Sequence, residues 1–342
     1  MVNLMKANRE LFRREPDECF ASFADLRAHC HSRTEESQEH WFKPQSLIPI
    51  SRPDRLSIRL ESGDESDLND WSFAQLCRLC GVSRDTINRL APETAARAIA
   101  ETLPKSDRPI QFLADDCVTR SIHGVSYTRL WNSELLDVIA DFESEFSPPQ
   151  TAFNGEGTGL YCGEQDMFVF LVDENSRVEI GENKFAPGFF AWNSEVGRRS
   201  LGIQTFWYQY ICGNHIVWDA IEVNEFSRKH TSSVRDGLDV IRQYIESLIG
   251  KRDERRERFA GVIQRSLTAP IANTDDFDLV AEKLASVGIP RKLIASAKTM
   301  VGNEHTVFKW VDSLTRLSGS IEFAGSRNQL DQKIGQLLTL AA

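Results

Sequence analysis

Between Met167 and Val223 the chain carries five apolar runs, Met167–Val172, Val178–Ile180, Phe189–Trp192, Leu201–Ile211 and Ile216–Val223, separated by polar or glycine-containing breaks. Each is too short for a buried helix and rich in the β-branched and aromatic residues that suit a pleated surface. A glycine-rich turn, Phe153 to Gly159, precedes them. A block of strands at this spacing has to close into a sheet, and the short breaks favour antiparallel neighbours. The longest stretch with no polar or glycine interruption, Met167–Val172, is six residues, far below the roughly 18 a membrane-crossing helix needs.

Helical patterns flank this block. Ser72 and Gln75 fit a capping box ahead of Phe73, Leu76, Cys77 and Cys80, and Gly81 ends that helix. Ser83 caps a short second helix with Ile87 and Leu90, and Pro92 suits the first turn of a third, through Leu103. Short extended runs follow at Ile110–Leu113 and Cys117–Ile122, then a helix over Glu134–Phe146. Beyond Ser233 the three-four spacing of Val234, Leu238, Ile241, Ile245 and Leu248 returns the chain to helix, with further helices expected near 276–287, 304–317 and 328–340. The predicted class is α+β: a central, mainly antiparallel sheet flanked by helices, with an extended N-terminal arm. The predicted organisation is an arm over residues 1–70, a mixed core over 71–232 and a helical region over 233–342. The arm is read from its spaced prolines (Pro44, Pro49, Pro53) and from five carboxylates within residues 61–70, which favour solvation over packing.

With 40 Lys+Arg against 50 Asp+Glu the formal charge is −10, which argues against a surface built throughout for duplex DNA. The N-terminus lacks the apolar stretch of a secretory signal, so a cytoplasmic location is expected. Seven scattered cysteines, an odd number, read there as small buried residues or free thiols. Cys77-x-x-Cys80 has no second pair to complete a zinc site and falls on the apolar face of a helix. Cys19, His29, Cys30, His31 and His40 are ligand types without a recognised spacing. No Walker loop, GxGxxG after a strand, HExxH or GxSxG occurs, so nucleotide hydrolysis and serine catalysis are disfavoured and no cofactor is expected.

Two segments point to nucleic acid. Gln75 to Leu90 resembles a helix-turn-helix with Cys77 four residues before Gly81 and Ile87 six after it, which would turn Arg84, Asp85, Thr86 and Arg89 toward a major groove. Lys184 to Trp218 is far denser in aromatic residues than the 9% average and carries Arg198 and Arg199 in its middle. Unpaired bases stack on aromatic faces while neighbouring arginines neutralise phosphates. The candidate contacts are Arg120, Arg129, Arg198 and Arg199 for phosphates, with Trp207 and Tyr208 for stacking. Because alternate strand residues face opposite sides, at most half of these rings can share one surface, and core packing competes for all of them. Asn193-Ser194-Glu195-x-Gly197 reads as a polar turn, and Cys212-x-Asn214 as a strand ending in a bulge. No base–nucleophile pairing among Ser194, Glu195, Cys212 and His215 follows from the sequence.

The run Phe189–Val217, with Asn193, Ser194, Glu195, Gly197, Cys212 and Asn214, resembles the phage- and plasmid-associated family catalogued as domain of unknown function 932. Gln75–Leu90, Thr119–Leu130 and His305–Thr315 resemble further parts of it, so that the likeness spans about residues 70–340. His123-Gly124-Val125 is inserted where that family has a compact serine turn. The resemblance implies a mobile-element setting near single-strand DNA functions, and it implies that the helical pair belongs to the fold. The leading expectation is therefore a non-catalytic protein that binds single-stranded DNA and self-associates to assist annealing, recombination or replication. The alternatives are a helix-turn-helix regulator of duplex DNA and a protein-interaction or counter-defence factor acting through the amphipathic helices near 234–267.

Overall fold

The computed structural model describes residues 18–53, 55–60, 63–115, 117–149, 159–210, 215–218, 225–272, 276–318, 330 and 333–341. The fold is α+β, but with two sheets in place of one.

The first sheet holds six strands, β1 (Ser37–Phe42), β2 (Ile48–Ser51), β3 (Leu56–Arg59), β4 (Glu65–Leu68), β5 (Ile110–Asp115) and β6 (Val118–Gly124), in the order β1-β5-β6-β4-β3-β2. Every pairing is antiparallel except β4–β6. The expected arm is thus a correction for its described part. Residues 23–68 form a helix, α1 (Phe23–Glu36), and four strands of this sheet. The acidic stretch is held there because Arg52 and Arg59 pair with Glu65, and Arg55 with Asp67, across β2–β4. These arginines pair with two of the five carboxylates whose mutual repulsion suggested a solvated loop.

One face of this sheet is covered by α2 (Asp70–Leu79), α3 (Arg84–Ile87) and α4 (Pro92–Thr102). Asn69, not Ser72, caps α2, accepting from the Ser72 N–H at 2.9 Å. Ser83 caps α3 and Pro92 opens α4 as expected. Leu76, Cys77, Cys80, Ile87 and Ile99 pack with Ile58, Phe112 and Ile122 into one core. The two cysteines are small buried residues in it.

The second sheet is antiparallel throughout. Its seven strands are β7 (Leu160–Cys162), β8 (Met167–Val172), β9 (Val178–Ile180), β10 (Asn183–Asn193), β11 (Leu201–Gln209), β12 (His215–Trp218) and β13 (Glu225–Arg228). The main path runs β12-β11-β10-β8-β7, with β9 on β10 and β13 on β11. Odd-numbered residues of β10 and β11 face helices. Phe189, Ala191, Leu201 and Ile203 meet α1, α5 (Asn132–Ala140) and α6 (Asp236–Gly250). Phe185 and Trp207 meet the C-terminal helices α7 (Arg252–Ser266), α8 (Phe277–Ser286), α9 (Arg291–Val301) and α10 (Val307–Ser318). Even-numbered residues form an aromatic face: Phe168, Phe170, Phe190, Trp192, Phe206 and Tyr208, all buried. The apolar faces of α6 and α7 are likewise inside, at Ile241, Ile245 and Leu248 and at Phe259, Val262 and Ile263. Among the described residues no helix is long and apolar enough to cross a membrane.

Trp207 is 1% exposed and stacks on Phe259 of α7, with ring centroids 3.8 Å apart and planes 5° from parallel. Trp207→Ala removes a stacked ring contact between the second sheet and the C-terminal helices. Its expected cost is about 3–5 kcal/mol in urea unfolding, whereas Trp41→Ala, at a site 48% exposed, is expected to stay within about 0.5 kcal/mol of the parent.

Candidate functional site

The two sheets meet where β10 ends. Asn193 to Arg199 leave the second sheet and plug against the face of the first that carries no helix of the α2–α4 layer. The plug is polar, yet Asn193, Ser194 and Glu195 are buried, so each polar atom needs a partner.

Glu195 lies at the centre. Its Oε2 accepts from Arg120 Nη2 at 2.9 Å and its Oε1 from the Asn132 backbone N–H at 3.0 Å. Its backbone carbonyl accepts from the Tyr127 hydroxyl at 2.7 Å and from Arg129 Nη1. Arg120 reaches this position because it is the extra residue of a β-bulge. Ser121 pairs with Leu113 and Thr119 with Ala114, and Arg120 has no partner between them. A bulge re-aims one side chain, here out of the alternation of β6 and into the junction. Arg120 also donates to the Ser37 hydroxyl at 2.9 Å and pairs with Asp115 at 3.2 Å. Arg129 donates to Glu39 Oε1 at 2.5 Å and to Gln111 Oε1 at 2.8 Å.

The rest of the plug is fixed in the same way. Asn193 donates to the Leu130 carbonyl and to Asn132 Oδ1, both at 2.9 Å. The Ser194 hydroxyl donates to the Gln165 carbonyl at 2.5 Å and accepts from the Arg198 N–H at 2.8 Å. The Val196 carbonyl meets Trp71 Nε1 at 2.7 Å and His123 Nε2 at 3.0 Å. Gly197 has φ +70°, and a Cβ there would lie 2.6 Å from His123 Cε1 and 2.9 Å from Tyr127 Cε2. The His123 and Tyr127 rings stack at 3.6 Å beneath it, and His230 stacks on Tyr127 at 5.4 Å. The Glu195 contacts tie the turn to the end of the first sheet and the start of α5, and the Ser194 hydroxyl fixes the turn to itself and to the β7–β8 connection.

This geometry corrects the nominated nucleic-acid contacts. Arg120 and Arg129 are buried in the junction, and Arg199 is buried against Asp166 at 2.6 Å. A guanidinium committed to a buried carboxylate is not free to neutralise phosphate. Trp207 and Tyr208, neighbours on one strand, point to opposite faces and both are buried. Among the described residues these arginines and rings form no single cationic trough floored by exposed rings. Arg198 is the exception. Just past Gly197, it is half-buried and lies over the Trp71 ring at 4.9 Å, with no carboxylate partner among the described residues. Of the motif residues, Asn193, Ser194, Glu195 and Gly197 come together in the plug, while Cys212 and Asn214 lie outside the described residues.

The helix-turn-helix segment is also revised. Arg84, Asp85, Thr86 and Arg89 are exposed, but α3 is a single turn whose Ile87 is sealed into the first sheet's core. A reading helix laid along a major groove needs more length. Among the described residues no group of three or more His, Cys, Asp and Glu side chains is placed to hold a metal ion. Cys30 faces Cys162, His31 bonds Asp137 and His40 stacks on Phe42. Trp71 was not singled out by sequence. Its signal was a lone tryptophan opening a helix with Arg78 seven residues on, two turns further along the same face. No family model, curated protein or solved structure matches the chain.

Two expectations follow. Glu195→Ala removes the buried carboxylate that faces Arg120 and accepts from the Asn132 N–H, and is expected to cost about 3–5 kcal/mol in chemical denaturation. Burial, reinforced by the charge of Arg129, lowers His123 to about 3, and burial lowers His230 to about 4. Both are held neutral when folded and gain a proton when unfolded. Their contribution is therefore complete above about pH 6.5 and is lost as pH falls toward 4 and then 3. The midpoint temperature is expected to drop between pH 7 and 5, where carboxylates stay ionised, and a His123→Gln, His230→Gln pair is expected to flatten that drop.

Proposed function

We propose that the protein binds single-stranded nucleic acid without catalysing a reaction, as a mobile-element protein of the kind its motif residues resemble, and that the contact is the rim of the sheet junction. The observation that carries this reading is Arg198 over Trp71. It is the one nominated arginine with no carboxylate partner among the described residues, and it is already layered on an aromatic ring. Arg78, exposed on the same face of α2, extends the strip by about 10 Å at 1.5 Å per residue. Guanidinium planes and indole rings are surfaces on which unpaired bases stack. The acidic strand β4 nearby is compensated by Arg52, Arg55 and Arg59, which lessens its repulsion of a phosphate backbone. The family reading rests on the motif residues alone.

A second reading, self-association, is favoured by β1. Among the described strands it pairs only with β5, leaving an open edge six residues long that carries the exposed Trp41. Unpaired edges of this length are templates for strand addition.

Fluorescence anisotropy with a labelled oligothymidylate and a duplex of equal length, at two salt concentrations, tests the first reading. The expected result is single-strand binding that weakens with salt, is stronger than duplex binding, and falls about tenfold or more in Arg198→Ala and Trp71→Ala, in keeping with about 1–3 kcal/mol per stacked base. Binding unchanged in both variants, or absent in the parent, contradicts it. Light scattering on the parent and Trp41→Arg tests the second: a parent that is monomeric rules the edge contact out.

A further inference from the structure

Outside the ionic junction, the least explained chemistry lies at its border. Cys30, on α1, and Cys162, at the end of β7, are 132 positions apart in sequence, yet their sulfurs lie 3.7 Å apart, Cys30 donating its S–H to Cys162. Both are free thiols and both are buried. Asn132, whose backbone N–H holds Glu195, donates from its Nδ2 to the same Cys162 sulfur at 3.8 Å. Arg33, one turn along α1 from Cys30, donates to the carbonyl of Gly163 at 3.0 Å and faces Asp115 at 3.6 Å. His29, next to Cys30 on α1, is exposed and acts with Cys30 to lower the Cys162 thiol.

We propose that Cys30 and Cys162 are a peroxide-responsive dithiol, oxidised to a disulfide that staples α1 to the second sheet beside the junction. Burial selects a small oxidant, hydrogen peroxide, over a bulky disulfide such as oxidised glutathione. The reaction balances. The Cys162 thiolate attacks one peroxide oxygen, the O–O bond breaks, and the departing hydroxide takes up the proton the thiol released. The Cys30 sulfur then attacks the resulting sulfenic sulfur, the S–O bond breaks, and the second oxygen leaves as water with the Cys30 proton. Two electrons pass from the sulfurs to peroxide, giving one disulfide and two waters. The two roles follow from the contacts. The S–H from Cys30, and then His29, favour the Cys162 thiolate and lower that thiol, while the same hydrogen bond raises Cys30. Burial pushes Cys77 up to about 11 and Cys80 upward, so the other close pair is held as thiols. Closing the bond needs the sulfurs to approach from 3.7 Å to about 2.05 Å.

The full chain carrying Cys117→Ser, which removes the exposed thiol, is treated with stoichiometric hydrogen peroxide and analysed by intact mass and non-reducing peptide mapping. The expected result is a mass lower by about 2 Da, a linked peptide pair containing residues 30 and 162, and a midpoint temperature raised by several degrees that dithiothreitol reverses. With Cys30→Ser, the sulfenic acid at Cys162 is expected to be trapped by dimedone. The proposal is overturned if both thiols are still alkylated after peroxide and unfolding, if the link maps to another pair, or if Cys162 takes up no dimedone in the Cys30→Ser chain.

Discussion

Glu195, through its carboxylate and its backbone carbonyl, is the centre of the junction between the two sheets. Glu195 accepts four hydrogen bonds at once, from Arg120, Asn132, Tyr127 and Arg129. The donors come from β6, from the start of α5 and from the segment between them, while Glu195 itself follows β10. An anion buried this deeply is tolerable only if nearly every lone pair is occupied. That requirement explains the surrounding detail: the bulge that frees Arg120 from the β6 alternation, the left-handed Gly197 that lets the chain pass over His123 and Tyr127, and the Ser194 hydroxyl that closes the turn on the Arg198 N–H.

The same requirement decides which cations are left for a ligand. Each guanidinium that completes the junction is withdrawn from the surface. Arg120, Arg129 and Arg199 are withdrawn, whereas Arg198, one residue beyond the glycine, emerges on the rim over Trp71. Rings divide similarly. In β10 and β11 both faces are covered, so the aromatic density of this segment is spent on packing, against helices on one side and within a ring cluster on the other.

Much of the architecture was legible. Continuous apolar runs marked β8 and β11, whose residues are buried on both faces, and three-four spacing marked α6. Gly81, Ser83 and Pro92 punctuated the helices because cap chemistry is local. The first sheet was largely missed, because Ser37–Phe42, Leu56–Arg59 and Glu65–Leu68 are short and polar. In Glu65–Leu68 the carboxylates pair with Arg59 of the neighbouring strand and with Arg52 and Arg55 beside it, which leaves no apolar period to read there. The Asn193–Gly197 turn was recognised as a turn, but not as a plug, since the partners of Glu195 lie 63 to 75 positions away. Arginine burial is decided by those distant partners, so residue type alone suggested surface. The Cys30–Cys162 contact had no sequence signal at all.

The claim at the centre is that Arg120 and Glu195 act as one unit across the sheet junction. A double-mutant cycle with Arg120→Met, Glu195→Gln and the pair, each followed by urea unfolding, addresses it directly. The account predicts that the double variant is less destabilised than the sum of the singles by about 1–3 kcal/mol, within the range found for contacting buried groups. Single effects that add to within about 0.5 kcal/mol would show that the two side chains do not depend on each other, and would contradict it.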